Sequence, residues 1–219
     1  MNKDAERIGV WGASGSGKST RVKELLKGNK RCIVIDPQGD WARDSSFRSY
    51  KTQQGLFKAM KSSWKAGFRL VLEVDEEKDH LPDVLQSMAR AMFIVQRPYN
   101  EGKDKRQITL VIDEMADMFP NRTLSAEQQS FTKLCRKGRH YGVNIIGASQ
   151  RLAEVHTSFR GNQSRAYYFR QAEAVDVQRA LQSLGTEHKP ALLGLADHEY
   201  LLKEGGRVTK GKNRCDWLK

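Results

Sequence analysis

From Arg7 to Thr20 the chain reads R-I-G-V-W-G-A-S-G-S-G-K-S-T, a short, largely apolar stretch that runs straight into three glycines, a lysine and four hydroxyls. This segment restricts the possible folds more than any other in the chain. A strand has to end where glycines let the backbone curl around a small anion, and a helix has to begin with its first N–H groups facing that anion. The spacing satisfies G-x-x-x-x-G-K-[ST] in the strand–turn–helix setting that gives the pattern its physical meaning. Gly12, Ala13, Ser14, Gly15, Ser16, Gly17, Lys18, Ser19 and Thr20 are therefore the expected phosphate cradle. Lys18 is expected to reach the β and γ phosphates, and Ser19 to offer its hydroxyl to Mg²⁺, which makes ATP with Mg²⁺ the expected ligand pair.

The rest of the chain repeats the alternation that this segment starts. Strands are expected at Arg7 to Trp11, Arg31 to Asp36, Phe68 to Val74, Ile108 to Asp113, Val143 to Ser149 and Ala166 to Arg170, separated by segments of helical period. One such helix carries Leu81, Leu85, Met88, Met92 and Val95 as its buried stripe. Ser125 and Gln128 have the form of a capping box, opening a helix that runs to about Tyr141 and stops at Gly142. The pattern is that of an α/β fold with a mostly parallel central sheet flanked by helices. A single domain is expected, with a motor unit over residues 1–203 and a short basic hairpin or tail over 204–219.

Of 219 residues, 38 are Lys or Arg and 26 are Asp or Glu, a formal net charge of +12 that suits a polyanionic partner. The placement of that charge is more informative than its size. Between Lys133 and Arg170 eight basic residues face the single acid Glu154. The three cysteines, Cys32, Cys135 and Cys215, form neither a C-x-x-C pair nor a zinc spacing, as expected of thiols in a reducing cytoplasm. No stretch has the length of a signal h-region or a membrane span, so a soluble protein is expected.

Two further stretches carry chemistry. I-T-L-V-I-D-E, Ile108 to Glu114, ends a strand in two adjacent carboxylates, Asp113 suited to hold the magnesium and Glu114 to orient and deprotonate an attacking water. G-R-H-Y-G-V-N-I-I-G-A-S-Q-R, Gly138 to Arg151, brings a buried strand to a polar tip at Ser149 and Gln150. Together with Gly12 to Thr20 and I-D-P-Q-G-D-W at Ile35 to Trp41, and in this order, these motifs resemble the FtsK/HerA superfamily of P-loop DNA translocases. Within it the likeness is to the genome-packaging ATPases of tailless, membrane-containing double-stranded DNA viruses.

The resemblance implies a RecA-like (ASCE) fold, Gln150 as the sensor of the γ phosphate, and Arg139 as a finger reaching a neighbouring subunit's nucleotide, with Arg136 and Lys137 as rivals. It implies a homo-oligomeric, hexameric ring that moves double-stranded DNA, with capsid or vertex proteins as partners, in the host cytoplasm and at the virion's packaging vertex. Contacts to DNA are expected from Arg97 to Arg106, which equally suits an ordinary connection, and from the arginines after Gln150. Two alternatives remain open: a cellular or plasmid translocase of the same superfamily, and an assembly or export ATPase of the filamentous-phage kind.

Overall fold

The computed structural model of the protein describes residues 4–214, and of Ala126 and Glu127 the backbone alone. Its elements are β1 (Arg7–Trp11), α1 (Lys18–Leu25), β2 (Arg31–Asp36), β3 (Arg48–Tyr50), α2 (Gln53–Ser62), β4 (Phe68–Glu73), α3 (Leu81–Val95), α4 (Arg97–Asn100), β5 (Ile108–Ile112), α5 (Met115–Met118), α6 (Ser130–Lys137), β6 (Val143–Ser149), α7 (Thr157–Arg160), β7 (Arg165–Tyr168), α8 (Ala174–Leu184), α9 (Lys189–Leu193), β8 (Glu199–Glu204) and β9 (Arg207–Lys212), joined by short 3₁₀ turns. The strands form one sheet in the order β3-β4-β2-β5-β6-β1-β7-β8-β9. The seven strands from β1 to β7 are parallel; β8 and β9 add an antiparallel edge.

Strand residues point alternately to the two faces, and both faces are covered, which is why the central strands read as nearly unbroken apolar runs. Ile33 and Ile35 of β2, Leu110 and Ile112 of β5 and Val143 and Ile145 of β6 enter one core, against α2, α3 and α6. Cys32, Val34, Val111, Ile146 and Ala148 enter the other, with Val22 and Leu26 beneath α1. The stripe of α3 is buried at Leu85, Met88 and Met92, while Leu81 and Val95 lie at its partly covered ends. Cys32 and Cys135 are buried free thiols, and burial pushes that of Cys32 up to about 11, so it stays protonated and inert. Cys215 and Trp217 lie outside the described residues.

The helix expected over 125–141 is broken into a 3₁₀ turn, α6 and a second 3₁₀ turn, and Ser125 makes no side-chain cap. The capping box fails because Gln128 leaves helical geometry at φ −87°, ψ 23°. The start of α6 is capped instead from another element, the buried Gln86 of α3, whose Oε1 accepts from the Phe131 N–H at 2.9 Å. Gly142 does end the segment in the left-handed conformation, at φ 64°. The stretch Arg97 to Arg106 opens with α4 and is tied down, Asn100 Nδ2 donating to the His140 carbonyl at 3.2 Å.

Candidate nucleotide-binding site

Because seven strands run parallel, their C-terminal tips gather at one end of the sheet, and the motifs meet there. Trp11 at the tip of β1 pairs with Ser149 at the tip of β6, and Ile112 at the tip of β5 with Gly147. The phosphate loop continues this pairing, Gly12 N–H donating to Ser149 O at 3.2 Å and Ala13 N–H to Arg170 O at 2.8 Å. Lys18 is the first residue of α1, whose first turn holds no acid, so the positive end of the helix is left for an external anion. Lys18 Nζ rests on the Ala13 carbonyl at 3.0 Å. Burial lowers its pKa, opposed by the charges of Glu114 and Asp113. The Ser16 hydroxyl is buried without a hydrogen-bond partner among the described residues. An unspent helix dipole, a lysine parked on its own loop and an orphaned hydroxyl together fit a phosphate chain.

Asp113 and Glu114 stand just past β5. The Trp41 indole Nε1 donates to Asp113 Oδ2 at 2.8 Å, leaving the other carboxylate oxygen for a cation. Asp113 is pushed up to about 6, first by burial and then by the nearby Asp36 and Glu114, with Trp41 working against the rise. Glu114 is buried at 8% exposure and sits in the left-handed region, φ 48°, so its carboxylate turns towards β6. There Oε1 accepts from the Ser149 hydroxyl and from the Gln150 backbone N–H. Burial raises the pKa of Glu114 and these bonds restrain the rise. The described residues contain no cluster of three His, Cys, Asp or Glu able to hold a metal by themselves. A cation sharing Asp113, the Ser19 hydroxyl and phosphate oxygens fits the habit of Mg²⁺, which uses few protein ligands and keeps its waters.

Three residues of this site escaped sequence reasoning. Trp41 belongs to the loop Ile35 to Trp41, whose role its residues do not declare. Asp36 there accepts from the backbone N–H groups of Gly39, Trp41 and Ala42, curling the loop so that the indole meets Asp113. His198 and Asn213 come from the β8–β9 hairpin. Asn213 Nδ2 donates to Gly17 O at 2.8 Å, and His198 N–H donates to Ser16 O at 2.8 Å. Gly17 has φ 105°, and a Cβ there would lie 2.7 Å from His198 Nδ1 and 2.8 Å from Asn213 Nδ2. No local pattern announces a contact between residues almost 200 positions apart.

Other expected residues lie elsewhere. Arg139 is exposed, at the opposite end of the sheet, where β6 begins. Seven strand residues at roughly 3.3 Å each put it about 20 Å from its own phosphate loop, beyond the reach of an arginine side chain. Arg136 and Lys137 are exposed beside it. Arg151 is tied to Glu154 at 2.7 Å and Asp176 at 3.3 Å, and Arg170 to Asp197 at 3.1 Å. Tyr167 and Tyr168 of β7 are core residues, 1% and 2% exposed.

A family model described as Zonular occludens toxin (Zot) matches residues 43–191. No curated protein matches the chain. Solved structures do. The genome packaging NTPase B204 from Sulfolobus turreted icosahedral virus 2, in complex with ATP-gammaS, superposes with a TM-score of 0.73 at 16% identity, covering 97% of this chain and 98% of that one. The DNA-packaging ATPase B204 of Sulfolobus turreted icosahedral virus gives 0.67 at 18%, covering 98% and 100%. ATPases 2 and 3 of Thermomonospora curvata EccC, in complex with a signal sequence peptide, give 0.59 at 17%, covering 96% of this chain and 38% of that one. These likenesses establish the fold as that of P-loop NTPases, in keeping with the packaging-ATPase resemblance of the motifs.

Proposed function

The chain belongs to the Zonular occludens toxin (Zot) family, and from that premise and the geometry of its site we propose that it is an ATP hydrolase that translocates double-stranded DNA, packaging a viral genome into a preformed capsid. The observation that carries the hydrolase reading is the bond pattern on Glu114. Its Oε1 is held by Ser149 and the Gln150 N–H, so Oε2 is the oxygen free to take a proton from a water aligned with the γ phosphate. Water attack on that phosphorus breaks the bond to the bridging oxygen and yields ADP and phosphate. Lys18 and the N–H groups opening α1 hold the phosphates, and Asp113 and Ser19 hold Mg²⁺, which when bound supplies charge neutralisation. The Gln150 side chain, on the residue whose backbone holds Glu114, is set to sense the γ phosphate.

Arg139 cannot serve its own site and is assigned to that of an adjacent copy. This calls for a homo-oligomer, most simply a hexameric ring, working in the host cytoplasm and at the packaging vertex, where capsid proteins would receive it. Support for a nucleic-acid cargo comes from the net charge and from the two similar structures whose descriptions name genome packaging and DNA packaging. The signal-sequence peptide bound to the similar EccC ATPases supports a second reading, an assembly or export ATPase with a protein cargo. ATPase rate measured with duplex DNA, single strands and no nucleic acid, across salt concentrations, separates them. The translocase reading expects duplex to raise the rate and salt to abolish the rise. A rate indifferent to every nucleic acid would move the assignment to export.

A further inference from the structure

The segments leading into β2, β4 and β6 carry Lys30, Lys65 and Arg139. At that end of the sheet, beside the edge strand β3, lies a cleft of about 460 Å³. Lys30, Arg48 and Arg69 line it together with the hydroxyl residues Ser45, Ser46 and Ser63, and no carboxylate does. Arg69 is built into its wall: the guanidinium lies 4.5 Å from the Phe47 ring centroid, Nη1 donates to the Leu26 carbonyl at 3.3 Å, and the buried Nε has no partner among the described residues. Lys30 and Arg48 are exposed and enter no ion pair among the described residues. Asp44, bonded to Ser46, is already neutralised by Lys23 at 2.7 Å.

We propose that this cleft seats the phosphodiester backbone of duplex DNA, in an inference that rests on the translocase reading above. The donors are guanidinium, ammonium and hydroxyl, the set that binds phosphate oxygens through charge-assisted bonds. Neighbouring strands lie about 4.8 Å apart, so the segments entering β3, β4 and β2 together span ~10 to 15 Å. A duplex presents one phosphate per ~1.7 Å of axis, and several therefore fall within that span. Contacts to phosphate oxygens fix position on a duplex and carry no sequence information. The contact is accordingly indifferent to sequence and weakened by salt, as a motor that grips every part of a genome requires.

The test uses the full chain and a labelled duplex of mixed sequence, with affinity read by fluorescence anisotropy over a series of salt concentrations. Two lost phosphate contacts in a Lys30→Ala/Arg48→Ala variant lower the slope of log affinity against log salt by about 2, with affinity down about tenfold or more. A Lys78→Ala/Lys210→Ala variant, removing two surface lysines outside the cleft, keeps both the affinity and the slope. Thermal melting of each variant confirms that it folds. If the wild type binds duplex and the cleft variant matches it in both quantities, the cleft proposal fails while the translocase reading stands. A wild type that ignores duplex at low salt overturns both. Competition by inorganic phosphate at equal effect, or a cleft variant that loses only self-association, also overturns the proposal, in favour of a free-anion site or of a contact between copies.

Discussion

Glu114 occupies a backbone region, φ 48°, in which an L residue pays about 1 kcal/mol, and the Ser149 and Gln150 bonds hold it there. Its neighbour Asp113 stores a larger cost. The folded state raises Asp113 from 3.8 to about 6, so the carboxylate binds its proton more tightly folded than unfolded. The resulting penalty is fully present above the folded value and disappears as the pH falls towards the unfolded one. Asp113→Asn is therefore expected to raise the stability of the nucleotide-free protein, on the order of 1 to 3 kcal/mol near about pH 8 and not at all near about pH 4. Magnesium-dependent turnover is expected to be lost. Melting temperature across that pH range, alongside ATPase rate, checks both halves; a variant destabilised at high pH would show that Asp113 is not strained by burial.

At the scale of elements, the β8–β9 hairpin is the surprise. Its sequence reads as a basic appendage, yet it pairs with β7 and returns through His198 and Asn213 to the last turn of the phosphate loop. The Asn213 amide holds the Gly17 carbonyl just before α1 begins, and the Arg214 N–H donates to Glu24 Oε1 of the same helix at 2.6 Å. Asn213→Ala is expected to weaken ATP binding severalfold, read as a rise in KM with kcat little changed, because the cradle loosens while Glu114 stays in place. Gly17→Ala meets both the positive φ and the 2.7 Å approach to His198, and is expected to abolish nucleotide binding. Equal behaviour of the two variants in a nucleotide-binding assay would contradict this division between a strap and a cradle.

On the scale of the whole molecule, the length of β6 sets Arg139 and Glu114 at opposite ends of one copy. Mixing inactive Arg139→Ala with inactive Glu114→Gln is therefore expected to restore partial ATPase activity, since an interface that pairs an intact Glu114 with an intact Arg139 reappears only in mixed assemblies. Absence of recovery in assemblies shown to be mixed would return the finger role to Arg136, Lys137 or no residue.

The phosphate loop, the carboxylates at the end of β5, the parallel alternation and the stripe of α3 were all legible in the residues, because each rests on local spacing: glycines at a turn, apolar periods, acids at a strand tip. Tertiary structure decided what depends on distant partners. The failed cap at Ser125 is replaced by Gln86, Trp41 reaches Asp113 through the turn built on Asp36, and Asn213 reaches Gly17 across most of the chain. A sequence states which hydrogen-bonding groups exist, but the choice among partners is made only when packing removes water and obliges each buried donor to find an acceptor.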